Sequence, residues 1–323
     1  MLCLPASQTL NTGRIRKMAK IAFLFAGQGS QYPGMAKDLY EASESVRRLF
    51  DKAEAIRPGT LRQMFEGTTE ELKRTDNTQP CLFLADLAAA AALKERGIEA
   101  DAAAGFSLGE IAGLAYAGIL PDEDAFRLVV SRGMRMQKAA EAQEGSMIAV
   151  LRMDVTELRG LCAELGVYPV NYNCPGQVVV SGENERIEKM KAALTERGVR
   201  FIELAVGGPF HTPYMKEAAE GLRGDAAQLP LSAPRIPLYA NRTAAPYPDR
   251  RDEILTLISE QICNSVLFEG TLKNLAEAGV DTFVECGPGK TLSGFVKRTV
   301  PGAKILQVFD KGSLEAGVSI ILQ

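Results

Sequence analysis

The chain has 323 residues, 46% of them apolar, enough to bury a large core as one big domain or two. A net charge of −3 without a long basic run argues against nucleic acid as a partner, and no apolar run approaches the ~20 residues that span a bilayer. Six scattered cysteines without C-x-x-C spacing argue against a zinc site and fit reduced thiols in a cytoplasmic protein.

Residues 1–17 differ from the rest: they contain no acid and carry Arg14, Arg16 and Lys17 just before Met18. They read as a disordered upstream extension with the working start at Met18; a short transit peptide is the alternative, and a secretory signal would need a longer apolar core. Lys20 to Phe25 reads as a buried strand, followed by the loop Ala26 to Gln31 and a helix over about 35–56. Strand, glycine loop, helix is where backbone N–H groups point at anions. Tyr32 replaces the third glycine of a dinucleotide fingerprint, so on this loop alone a tight turn is the favoured reading.

Asn77 to Pro80 opens another helix, and Leu82 to Leu93 is apolar enough to be buried. Ala102 to Ala104 reads as the end of a buried strand, and Leu108 to Ala117 as a helix stopped at Gly118. Between them, Gly105-Phe106-Ser107-Leu108-Gly109 has the G-x-S-x-G form of a nucleophile elbow. Glycines allow the sharp reversal that exposes a serine hydroxyl at a helix N-terminus, where N–H groups and the helix dipole stabilise an oxyanion. The five-residue pattern is common, and an ordinary helix cap is the competing reading of Ser107. Residues 121–142 form a further helix carrying Arg132 and Arg135 among apolar neighbours. Such arginines usually snorkel or pair with acids.

From Ser146 the elements become short and evenly spaced: a strand at Met147 to Leu151, then a helix opened by Asp154 and stopped at Gly166. Two strands, Tyr168 to Tyr172 and Gln177 to Ser181, flank the turn Asn173 to Gly176. A helix over 184–198 and a strand over 201–206 complete a βαββαβ order, the ferredoxin-like pattern. The expected organisation is a larger α/β unit over 18–143 and 207–323 with a subdomain inserted at 144–206. The larger unit resumes with Gly207 to Pro213, a strand over 238–241, helices over 252–263 and 272–278, and a strand over 282–285. Its alternating strands and helices predict a mostly parallel sheet. Gly287 to Thr291 imitates the tail of a P-loop, but Val284 stands where the first glycine is required, so ATP binding is rejected.

A serine needs a base to become a nucleophile, and His211 is the one histidine in the chain. It follows a glycine-proline loop after a strand, where active-site residues concentrate. Between Ser107 and His211 no acid clearly ends a core strand, so the simpler reading is a Ser/His dyad held by backbone carbonyls.

Six ordered motifs now resemble one family: Phe25 to Gln31, Gly105 to Glu110, Arg132-Gly133 with Met136-Gln137, Asn171 to Gln177, Phe210-His211 and Glu285 to Lys290. Together they resemble the malonyl-CoA:acyl carrier protein transacylases, over nearly everything from Met18 onward. The resemblance implies an α/β-hydrolase-like core with a ferredoxin-like insertion. It implies ping-pong transfer of malonyl from coenzyme A to Ser107, then to the phosphopantetheine thiol of acyl carrier protein, in fatty acid or polyketide synthesis. No cofactor or metal is implied, because the coenzyme A thioester is a substrate, and a monomer is expected. By the same resemblance Ser107 is the nucleophile, His211 the base, the N–H groups of Gln28 and Leu108 the oxyanion hole, and Arg132 the partner of the malonyl carboxylate. A backbone carbonyl near Leu267 would orient His211. This chain departs from the family pattern at Phe106, where histidine is usual, at Leu267, where glutamine is frequent, and in its N-terminus. Phe210 resembles malonyl-selective relatives. A serine thioesterase or hydrolase sharing the dyad is the alternative; a non-catalytic carrier-binding module is disfavoured by the presence of both Ser107 and His211.

Overall fold

The computed structural model describes residues 19–323. The extension at 1–17 and the start at Met18 lie outside the described residues. Among the described residues nine strands occur in chain order: β1 (Ile21–Phe25), β2 (Ala102–Gly105), β3 (Gly145–Leu151), β4 (Tyr168–Cys174), β5 (Gln177–Glu183), β6 (Arg200–Glu203), β7 (Leu238–Tyr239), β8 (Thr282–Cys286) and β9 (Lys304–Val308). Five of them form one sheet in the order β7-β2-β1-β8-β9, with every neighbouring pair parallel. The other four form an antiparallel sheet in the order β4-β5-β3-β6, the spatial order of a ferredoxin-like unit.

All five residues of β1 are buried, as a strand covered on both faces requires. Alternation divides its side chains: Phe23 and Phe25 enter one core, whereas Ala22 and Leu24 enter a second on the opposite face. The small side chains of β2 divide the same way, Ala103 into the first core and Ala102 and Ala104 into the second. In the small sheet, Ile148, Val150 and Val180 pack against the helices Val155–Leu165 and Asn184–Glu196. Its other face sends Met147, Ala149 and Val179 into the large core, so the two sheets share apolar packing.

After β1 the chain builds β2 on one side of it; after β7 it crosses to build β8 on the other. The carboxyl ends of β1, β2 and β8 therefore border a crevice at a topological switch point, where open α/β sheets bind ligands. Gln28 follows β1, Ser107 follows β2 and Gly287 follows β8. The Gly287 to Lys290 stretch does not bear a P-loop; it leads into the helix Thr291–Thr299, whose first N–H groups bond the Glu285 carboxylate, Leu292 at 3.0 Å and Ser293 at 2.8 Å.

Several elements differ from expectation. The helix read over 35–56 is two, Lys37–Ala42 and Glu44–Ile56, because Ser43 turns extended and accepts the Val46 N–H. The last strand of the small sheet ends at Glu203, after which Val206 turns back onto the Leu204 carbonyl. The helix read over 252–263 closes at Glu260 and tightens into a 3₁₀ turn, Gln261–Cys263.

Candidate active site

The elbow is held by close approach and by strain. A side chain on Gly105 would collide with the Gly109 carbonyl, and one on Gly109 with the Phe25 carbonyl. Both glycines are thus required where the β2 turn folds against the end of β1. Ser107 has a φ of 54°, a left-handed conformation unusual for a residue with a side chain. Its N–H donates to Asn241 Oδ1 at 2.7 Å, and its carbonyl accepts from Gln261 Nε2 at 2.6 Å. The helix Gly109–Tyr116 then begins, leaving the Ser107 side chain half-buried at its N-terminus.

His211 also has a left-handed backbone, with a φ of 62°, in the loop that Thr212 stabilises by bonding the Pro209 carbonyl at 2.5 Å. Its Nε2 lies 2.8 Å from Ser107 Oγ, and its Nδ1 lies 3.0 Å from the Gln261 carbonyl. A carbonyl can only accept, so Nδ1 carries the proton and Nε2 is free to accept from the serine. This corrects the expectation at Leu267. The 3₁₀ turn brings the Gln261 carbonyl to the imidazole, while Leu267 donates its N–H to the Asn241 carbonyl at 2.7 Å. Burial, and then the Arg132 cation, push the His211 pKa down to about 4, so the ring is neutral at physiological pH.

Arg132 is fully buried on the helix Asp122–Ala142. Its guanidinium donates to Gln79 Oε1 at 2.8 Å, Gln261 Oε1 at 2.8 Å and Ser107 Oγ at 3.1 Å, while its Nε has no partner. Among the described residues, no carboxylate lies within ion-pair distance. Burial lowers its pKa to about 10, with Glu110 opposing that shift, so it remains a cation at neutral pH. Arg135 instead points away to Asp225, at 2.7 and 2.9 Å, and ties this helix to the helix Lys216–Ala227.

Among the described residues, the backbone N–H groups of Gln28 and Leu108 are not used in the hydrogen bonds of the fold. The Gln28 loop lies directly against the elbow, since a side chain on Gly27 would meet Phe106. A cavity of about 270 Å³ opens here, lined by Gln28, Phe106, Asn171, Asn173, Val206 and Phe295. The Phe106 ring packs on Phe268 and Phe295 at 5.2 and 5.9 Å, an apolar wall at the position where the sequence resemblance leads one to expect an imidazole.

Gln79, Glu110, Asn241 and Gln261 complete the site and were not singled out from the sequence. Each is buried, Asn241 entirely. A signal existed for two: Glu110 and Gln79 are polar residues inside largely apolar helices, Gly109–Tyr116 and Thr75–Glu95. Glu110 accepts the Asn241 N–H at 2.7 Å and the Tyr247 hydroxyl, and burial lifts its pKa to about 7. Among the described residues no cluster of metal-ligating side chains occurs, and no helix is long and apolar enough to cross a membrane.

A serine on a neutral imidazole, with free N–H groups and a buried cation beside it, is equipped for acyl transfer from an anionic acyl group. The family model described as acyl transferase domain matches residues 22–309. A malonyl CoA-acyl carrier protein transacylase of Bacillus subtilis (strain 168) is 40% identical over 311 residues, covering 94% of this chain and 98% of that relative. The crystal structure of a malonyl CoA-acyl carrier protein transacylase from Clostridium perfringens superimposes with a TM-score of 0.90 at 35% identity, covering 94% of this chain and 98% of that one. A malonyl-transacylase solved in complex with its type II polyketide synthase acyl carrier protein superimposes with a TM-score of 0.89 at 33% identity, covering 94% and 100%. The chain belongs to the malonyl CoA-acyl carrier protein transacylase family.

Proposed function

We propose that this chain transfers malonyl groups from coenzyme A to the phosphopantetheine thiol of an acyl carrier protein, through an ester on Ser107. In the first half-reaction Ser107 Oγ gives its proton to His211 Nε2 and attacks the thioester carbonyl. The oxyanion rests on the N–H groups of Gln28 and Leu108. Collapse breaks the C–S bond, and the coenzyme A thiolate leaves with the proton from His211. In the second half the carrier thiol gives its proton to His211 and attacks the ester, and Ser107 recovers that proton as it leaves.

The observation that carries this reading is Arg132. A fully buried guanidinium held only by neutral acceptors, 3.1 Å from the nucleophile, lacks an anion that malonyl supplies and acetyl does not. Its parallel donors match both carboxylate oxygens, whereas a lysine would offer a point charge. The thioesterase alternative has no use for such a cation.

Mass analysis after brief mixing with malonyl-CoA or acetyl-CoA tests the proposal. The unmodified protein should gain one malonyl group at Ser107, and Ser107→Ala should gain none. Breaking a buried charge pair typically costs ~3–5 kcal/mol, so Arg132→Ala should slow malonylation by roughly 10²–10³-fold or more. Acetylation should be spared, and Arg132→Lys should restore malonylation in part. Equal losses for both acyl groups would make Arg132 merely structural, and free malonate without transfer to the carrier would favour the hydrolase.

A further inference from the structure

We infer that Asn241 is the positioning residue of the nucleophile: it sets the backbone of Ser107 and decides which elbow N–H remains for the oxyanion. The inference rests on the acyl-transfer reading of Ser107 and adds a residue that does not touch substrate.

Asn241 is fully buried just past the end of β7, a strand of two residues at the edge of the parallel sheet. The register Ala103↔Leu238 and Ala104↔Tyr239 carries its amide to the elbow. There Nδ2 donates to the Gly105 carbonyl at 2.5 Å, and Oδ1 accepts the Ser107 N–H at 2.7 Å. One side chain thus spans the residues on either side of Phe106, closing the turn that forces Ser107 to positive φ. The amide has a single workable orientation. Reversing it would set its NH₂ against the Ser107 N–H and its oxygen against the Gly105 carbonyl. A third bond, from Gln261 Nε2 at 3.2 Å, fixes Oδ1 further.

The main chain of Asn241 is equally committed, its N–H to Glu110 at 2.7 Å and its carbonyl to the Leu267 N–H at 2.7 Å. Both its side chain and its main-chain N–H therefore hold parts of the site, while its carbonyl ties it to the chain at Leu267. The chemical consequence follows from the Ser107 N–H. Taken by Asn241, it does not compete for the oxyanion, and the next N–H in the chain, that of Leu108, is left open among the described residues. Without the clamp, Ser107 is free to relax toward negative φ, moving Oγ off His211 and turning both N–H groups.

A positioning role predicts a loss in the chemical step that ignores the acyl group. A misplacement of ~1 Å can cost on the order of 10²-fold in rate. In rapid-quench acylation of the full-length protein, Asn241→Ala should form the Ser107 adduct roughly 10²-fold more slowly from both malonyl-CoA and acetyl-CoA. Adduct amplitude should still approach one per chain, and KM should stay close to that of the parent. That pattern differs from Arg132→Ala, which separates the two substrates. Asn241→Asp keeps the volume and the acceptor for Ser107 but sets an oxygen against the Gly105 carbonyl, so it should also be slow; it carries the test where Asn241→Ala does not fold. An acylation rate within threefold of the parent in a folded variant overturns the inference, as does a loss confined to malonyl-CoA. Failure of the parent protein to be acylated would instead overturn the acyl-transfer reading itself.

Discussion

In the proposed mechanism His211 is the group through which pH reads this site. Burial and the Arg132 cation both disfavour imidazolium, and the pKa falls to about 4. A base must be neutral to act, so its lowered pKa keeps it competent on the acid side of an ordinary histidine. In the free enzyme, kcat/KM for acylation should stay level from neutral pH down past 6 and fall only toward 4. A malonyl carboxylate on Arg132 removes the second cause of the shift, so the acid limb of acylation in the bound complex should lie higher than that of kcat/KM. Burial lifts Glu110 to about 7, so the profile is repeated in Glu110→Gln. An acid limb in kcat/KM near the unperturbed value of ~6.5 that persists there belongs to His211 and contradicts the burial argument, whereas one that disappears belongs to Glu110. At this scale Ser107 and His211 were legible because their side chains are the ones to which the proposed chemistry is assigned. Gln261 and Asn241 were not: one orients His211 through a carbonyl that every residue has, and the other works only where β7 delivers it. Arg132 and Arg135 illustrate the same boundary. They are three positions apart on one helix, and only the packing decides that one faces the serine and the other Asp225.

At the level of elements, the elbow depends on how closely β1 and β2 approach. A methyl on Gly109 would run into the Phe25 carbonyl, which is backbone and cannot rotate away. By contrast, Gly160 lies within the helix Val155–Leu165 with open space where its methyl would go. Overpacking typically costs ~1–3 kcal/mol, whereas glycine in a helix interior costs roughly 1 kcal/mol relative to alanine. Gly109→Ala should therefore lower the urea midpoint and impair acylation, while Gly160→Ala should raise the midpoint and leave acylation alone. A neutral Gly109→Ala would mean that the elbow can open without penalty, contrary to the packing described. The elements legible in the sequence were those with strong periodicity and clear stops, such as the helix capped by Asp154 and ended by Gly166. Those set by tertiary contacts were not. The break at Ser43 rests on one side-chain cap, and the 3₁₀ turn after Glu260 shifts the histidine's carbonyl partner from Leu267 to Gln261. The helix Lys216–Ala227 was missed because mixed small and charged residues gave it no marked pattern, and the strand β9 because Ile305, Leu306 and Val308 are too few and do not alternate.

Across the whole molecule, the site draws on distant parts of the chain that meet at the switch point of the parallel sheet. Ser107 follows β2, His211 follows the small sheet, Arg132 comes from a helix between them, and Gln261 enters 129 residues after Arg132. The assembled protein thereby holds a cation out of water with neutral acceptors around it and its Nε unpartnered. A carboxylate ligand relieves that condition only in the folded state, because an unfolded chain solvates its arginine. Binding to the native state alone stabilises by about 2.7 kcal/mol at a hundredfold excess over Kd, so the stability gained measures how well the ligand fits the cation. Malonyl-CoA and acetyl-CoA share everything except the terminal carboxylate. In Ser107→Ala, where no ester can form, thermal melts at equal ligand concentration should show a larger rise in Tm with malonyl-CoA than with acetyl-CoA. The difference should vanish when Arg132→Ala is added, since neither ligand then has a cation to meet. Equal shifts in the Ser107→Ala protein would mean that the carboxylate remains in water and that the buried guanidinium serves the fold alone. A difference that persists without Arg132 would instead place the carboxylate on another group.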